Sequence, residues 1–87
     1  MSVFLATFHT HLSALLSCQA LKSAGVEARM APVPRALSSS CGTCVRYRGQ
    51  HDHRELLDRD TEAIYQSEGE EYRLLLRWKE PGGEVGG

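Results

Sequence analysis

Residues 3–8 place apolar or small side chains on both sides of an extended segment, with Val3, Leu5 and Thr7 on one face and Phe4, Ala6 and Phe8 on the other. Two apolar-leaning faces predict a central strand. Thr10 or Ser13 is then placed to cap a helix, in which Leu12, Leu15, Leu16, Cys18, Leu21 and Ala24 recur at helical spacing until Gly25 stops it. From Val26 the period changes to two: Val26, Ala28 and Met30 alternate with Glu27 and Arg29, and Pro32 and Pro34 end this second strand. Residues 35–40 are a short polar connection, and 44–48 read as a third strand closing at Gly49. Within 53–66, Leu56, Leu57, Ala63 and Ile64 lie one heptad apart among charged residues, which predicts a second amphipathic helix. After a turn at 67–71, Tyr72, Leu74, Leu76 and Trp78 alternate with Arg73, Arg77 and Lys79 as a final strand.

The order β-α-β-β-α-β predicts an α+β ferredoxin-like plait: a four-stranded antiparallel sheet, order 4-1-3-2, with both helices on one face. Residues 1–80 form this single domain and 81–87 a flexible Gly-rich tail. In that topology His9, Thr10, His11, Pro32 to Cys41 and Glu68 to Glu70 emerge at one end, with the start of the first helix beside Cys41.

With 87 residues there is room for one small core. Ten Lys and Arg against eleven Asp and Glu give a net charge of -1, which offers neither nucleic acid nor an anionic membrane an electrostatic grip. No stretch approaches the roughly 20 apolar residues of a membrane span. Leu15-Leu16-Ser17-Cys18 has the form of a lipoprotein cleavage site, yet no basic region precedes it and His9 and His11 interrupt the apolar run. Three cysteines, two of them three residues apart, suit a cytoplasmic protein with reduced thiols better than a disulfide framework.

Chemistry centres on Cys41. A thiol reacts as its thiolate, and a helix N-terminus, Arg35 and the backbone N–H groups around Gly42 each favour that charge. Gly42 lets the backbone turn sharply and a sulfur donor approach. The alternative is a small buried hydrophobe at a strand start.

Phe8-His9-Thr10 with Ala14, the run Gln19-Ala20-Leu21-Lys22-Ser23-Ala24-Gly25-Val26, and Pro32-Val33-Pro34-Arg35-Ala36-Leu37-Ser38-Ser39 followed by Cys41-Gly42 resemble the selenium/sulfur carrier-like family, long a domain of unknown function. The resemblance spans roughly residues 3–48, and Pro-x-Pro-Arg...Ser-Ser-x-Cys-Gly is its specific part. It implies a ferredoxin-like plait whose Cys41 holds sulfur or selenium as a persulfide or selenosulfide, passed on by thiol exchange without a cofactor. The implied partners are a cysteine desulfurase-type donor and a protein acceptor. The resemblance also implies that Pro32 and Pro34 stiffen the loop, that Arg35 activates the thiol or contacts an anionic donor, and that Ser38 and Ser39 hydrogen-bond the thiolate or the loop. The chain departs from the family pattern at Cys44, where a small apolar residue is usual, and in its Gly-rich tail.

Other constellations compete. Cys41 and Cys44 have the spacing of a dithiol redox pair, although a strand rather than a helix follows and residues three apart on it face opposite sides. Cys41, Cys44, His51 and His53 offer four zinc ligands at a spacing that matches no common finger. His9 and His11 are candidate proton carriers near neutral pH. Gly86-Gly87 has the ending of ubiquitin-like sulfur carriers, but the order of elements upstream is wrong for that fold. A non-catalytic interaction or small-ligand module, including one that self-associates through an exposed sheet edge, is the remaining reading.

Overall fold

The computed structural model describes residues 1–78, so the Gly-rich tail, Gly86-Gly87 included, lies outside the described residues. Seven elements follow in order: β1 (Ser2–Phe8), α1 (His11–Ser23), β2 (Ala28–Pro32), β3 (Thr43–Gly49), a single 3-10 turn (Arg54–Leu56), β4 (Thr61–Glu68) and β5 (Glu71–Arg77). The fold is α+β. Its antiparallel sheet has five strands in the order β2-β3-β1-β4-β5, and one helix covers one face.

Five strands and one α-helix stand where the pattern predicts four strands and two helices. The second helix does not form, because the heptad joining Leu56 and Leu57 to Ala63 and Ile64 straddles a turn held by Asp58. The Asp58 carbonyl accepts from the Thr61 amide and hydroxyl, and its carboxylate accepts the Asp60 N–H at 3.2 Å. Beyond that turn Ala63 and Tyr65 face one side of the sheet and Ile64 the other, all buried. A strand buried on both faces shows a continuous apolar run, which periodicity alone does not separate from a helix. The segment expected to be the fourth strand is therefore the fifth, joined to β4 by the two-residue loop Gly69–Glu70 with Gly69 at φ +64°. The order 4-1-3-2 holds for the first four strands, with β5 added at the β4 edge. Because β4 takes the helix's place, residues 68–70 lie at the opposite end of the sheet from Cys41, not beside it.

The helix-side core joins Phe4, Ala6 and Phe8 of β1 and Ala14, Cys18 and Leu21 of α1 to Val45, Tyr47 and Ile64. The reverse face is smaller: Leu5, Cys44, Ala63 and Tyr65 are covered by Val33, Leu37 and Tyr72. Thr10 caps α1 by accepting the Ser13 N–H at 3.0 Å. The helix is rotated from its expected stripe, burying Ser13, Ala14, Ser17, Cys18 and Leu21 while Leu12, Leu15 and Leu16 are exposed. Polar satisfaction sets that rotation. Ser13 Oγ donates to Asp58 Oδ2 at 2.8 Å, and the Asp58 N–H donates to Ser17 Oγ at 2.8 Å. Arg73 and Arg77 are solvated, Arg73 bonding Gln66 and Glu68 within its own hairpin.

This clasp gives a first test. Asp58→Ala leaves the buried Ser13 hydroxyl without its acceptor and is expected to lower stability by about 2 kcal/mol in urea denaturation. Adding Ser13→Ala should recover part of the loss, since removing both partners is milder than orphaning one. Strictly additive losses would contradict the clasp.

Candidate functional site

The carboxyl ends of β1, β2 and β5 and the amino ends of β3 and β4 meet at one end of the sheet, as the antiparallel pairings require. The β2–β3 loop, residues 33–42, folds over this end. It is closed by the Val33 N–H to the Gly42 carbonyl at 3.1 Å and by a turn from the Leu37 N–H to the Pro34 carbonyl at 3.0 Å. Gly42 sits at φ +74°, the left-handed conformation a glycine adopts without penalty, and this turns the chain from Cys41 into β3.

Cys41 is half-buried against the helix-side core, and its thiol donates to the Thr43 carbonyl at 3.5 Å. The proton makes that bond, so the bond is given up whenever the sulfur acts as a nucleophile. Cys18 and Cys44 are buried. Cys44 packs on the other side of the sheet with Leu5, Ala63 and Tyr65, and its thiol donates to the Pro32 carbonyl at 3.6 Å. Burial pushes the Cys44 thiol up from its ordinary range, more than nearby Arg46 draws it down, and Cys41 raises it further. A Cys41–Cys44 disulfide would need the start of β3 to turn over, because the two sulfurs serve opposite faces.

His9 follows β1 directly, and its Nδ1 lies 3.4 Å from Glu62 Oε2 and 3.5 Å from Ser40 Oγ. Ser40 completes the cluster, its hydroxyl donating to Glu62 Oε2 at 2.6 Å and its amide at 3.3 Å. Glu62 Oε1 is buried with no hydrogen-bond partner among the described residues. A carboxylate beside Nδ1 fixes the imidazole's orientation. Ser39 Oγ donates to the Phe8 carbonyl at 3.0 Å, tying the Cys41 loop to the end of β1. His11, the first residue of α1, approaches Thr43 Oγ1 with its Nδ1 at 3.4 Å, which sets the helix start beside the start of β3.

The sequence-derived residues thus fall into three groups. Cys41, Gly42, Ser39, His9 and His11 share this end of the sheet. Arg35 and Ser38 are on the same loop but exposed, with no side-chain hydrogen bond among the described residues. His51 and His53 follow the far end of β3, a strand of seven residues, so they do not join Cys41 and Cys44 in one metal set.

Glu62 and Ser40 were not legible as site residues. Glu62 lies in a segment whose heptad spacing predicts helix, and the signal that places it on a strand is the β-type composition Thr-x-Ala-Ile-Tyr from Thr61 to Tyr65.

A family model described as "Putative Se/S carrier protein-like" matches residues 4–69, from β1 through β4. No curated protein and no solved structure matches the chain.

Proposed function

Because this chain belongs to the Se/S carrier protein-like family, we propose that it carries sulfur or selenium on Cys41 between a desulfurase-type donor and an acceptor protein. One observation carries the assignment to Cys41: of three unbridged cysteines, two are buried and Cys41 alone is partly open to solvent. In the loading step the Cys41 thiolate attacks the outer sulfur of a cysteine persulfide on the donor. The new S–S bond forms as the donor's S–S bond breaks, and the donor leaves as a thiolate. No net oxidation occurs. The proton lost by Cys41 passes to His9 or to the departing thiolate. The acceptor's thiolate then takes the carried atom by the same exchange, and selenium in place of the outer sulfur gives a selenosulfide. Such chemistry needs reduced thiols, which suits the cytoplasm; among the described residues no helix is long and apolar enough to cross a membrane.

The expected result is a mass gain of one sulfur atom on the intact chain after incubation with a cysteine desulfurase and cysteine. Cys41→Ser abolishes it, and Cys18→Ser and Cys44→Ser retain it. Sulfur mapped to Cys18 or Cys44 instead would overturn the assignment.

A second reading, a non-catalytic interaction module, is favoured by the outer face of α1, where Leu12, Leu15 and Leu16 are 61%, 38% and 44% exposed. Alkylation of the folded chain separates the two readings. A relay thiol at Cys41 is modified in the native state about as fast as a small free thiol under the same conditions, whereas an inert one reacts only when the chain unfolds.

A further inference from the structure

At the end of the sheet away from Cys41, the chain leaves β3 through Gln50-His51-Asp52-His53 into the 3-10 turn. One ring nitrogen of His51, one of His53 and a carboxylate oxygen of Glu55 lie within 4.8 Å of one another. The loop is built to hold them there. His53 takes the left-handed conformation, φ +50° and ψ +36°, uncommon for a residue with a side chain. Its Nε2 is packed over Gly49, where a Cβ would come within 2.9 Å of it, so the strand must end in glycine for the ring to lie where it does.

With Nε2 turned to Gly49, His53 presents Nδ1 to Glu55 Oε2 at 3.9 Å. The His51 Nδ1 accepts the His53 backbone N–H at 3.3 Å, so its lone pair also points into the loop, and the two ring centroids are 4.0 Å apart. Asp52, between the histidines, is not available as a ligand. Arg54 grips both its oxygens, Nε to Oδ1 at 3.2 Å and Nη2 to Oδ2 at 2.6 Å.

We propose that His51, His53 and Glu55 bind a zinc ion, with a fourth coordination position open to water. Two neutral imidazoles and one carboxylate form a three-ligand set zinc accepts, at bonds of about 2 Å that put neighbouring donors about 3.4 Å apart. His51 and Glu55 are exposed, so small side-chain rotations close the remaining distance. The long hydrogen bond on His51 Nδ1 is exchanged for the stronger metal bond. The seven residues of β3 separate this site from Cys41 by about 20 Å. The proposal therefore stands apart from the sulfur-carrying reading.

The test titrates the full chain, free of any histidine tag, with Zn²⁺ by calorimetry and with Co²⁺ by visible absorption. Saturable one-to-one binding is expected, with a Co²⁺ spectrum lacking sulfur charge-transfer bands. A variant with Cys18, Cys41 and Cys44 all changed to Ser should bind as the parent does. His51→Ala and Glu55→Gln, both at exposed positions, should each weaken binding by about 100-fold or more, since substitutions merely supporting a ligand cost about 10–100-fold. No saturable binding, binding unchanged in His51→Ala or Glu55→Gln, or binding lost in the cysteine-free variant would each overturn the site.

Discussion

Phe8→Ala is expected to lower the unfolding free energy by about 3–5 kcal/mol, the usual cost of deleting a fully buried aromatic ring. Phe8 has no exposed surface and closes the helix-side core at the end of β1, among Ala14, Cys18, Leu21, Val45 and Ile64. Domains are stable by only about 0.05–0.15 kcal/mol per residue, so a chain this short loses a large part of its margin. The same change bears on the site, because the Phe8 carbonyl receives Ser39 Oγ and Cys41 rests on this core. Alkylation of Cys41 should accelerate in the variant. Urea denaturation supplies the free energy, with the slope checked against the parent to confirm two-state unfolding. A loss below about 1 kcal/mol would mean that the ring is not packed as described.

Raising the pH is expected to unfold the protein through groups that are buried in neutral form. Tyr47 is 1% exposed, stacks on Phe4 with ring centroids 5.5 Å apart, and donates its hydroxyl to the Asp52 carbonyl. Burial pushes its phenol far above the ordinary range, the Asp52 and Glu55 carboxylates add to the shift, and Arg54 opposes it. The buried Cys44 thiol is raised as well.

A group whose folded pKa exceeds its unfolded value contributes stability that is fully present below the unfolded pKa and is lost as pH rises toward the folded one. Stability should therefore begin to fall as pH enters the thiol range near about 8.5, and fall more steeply above about 10 as unfolded tyrosine ionises. The Tyr47 limb amounts to about 1.4 kcal/mol per pH unit, or about 3 kcal/mol across two units. Tyr47→Phe should cost about 1 kcal/mol at neutral pH for its lost hydrogen bond, and flatten that steep limb. An equally steep limb in the phenylalanine variant would show that Tyr47 is not its source.

Both residues belong to segments whose pattern already marked them as strand, and both point into the helix-side core. The candidate site divides less evenly. Cys41, Gly42 and Ser39 were legible because an eight-residue motif and its Cys-Gly partner travel together in the chain, and His9 because it follows a clear strand. Glu62 and Ser40 became visible only once β4 lay beside β1, since the bond between them joins residues 22 apart in the chain.

The sequence offers His51 and His53 as ligands together with Cys41 and Cys44, and the fold gives them Glu55 instead. Sequence distance made Cys44 look near to them, whereas an extended strand carries the chain away by about 3.3 Å per residue. Glu55, four residues after His51, is the neighbour that the loop supplies.

Local order was written in the sequence wherever one physical preference dominated. The Thr10 cap, the Gly25 stop, the two-residue period of β2 and the central character of β1 each follow from short-range sterics and from burial on one or two faces. Tertiary structure decided what local pattern left degenerate. Residues 61–68 are strand because β1 offers an unpaired edge and both faces of Ala63-Ile64-Tyr65 find cover. Helix α1 buries its serines rather than its leucines because Asp58, brought from 41 residues beyond Ser17, needs their hydroxyls. A backbone edge to be paired and a half-buried carboxylate to be satisfied are long-range demands, and no window of neighbouring residues contains them.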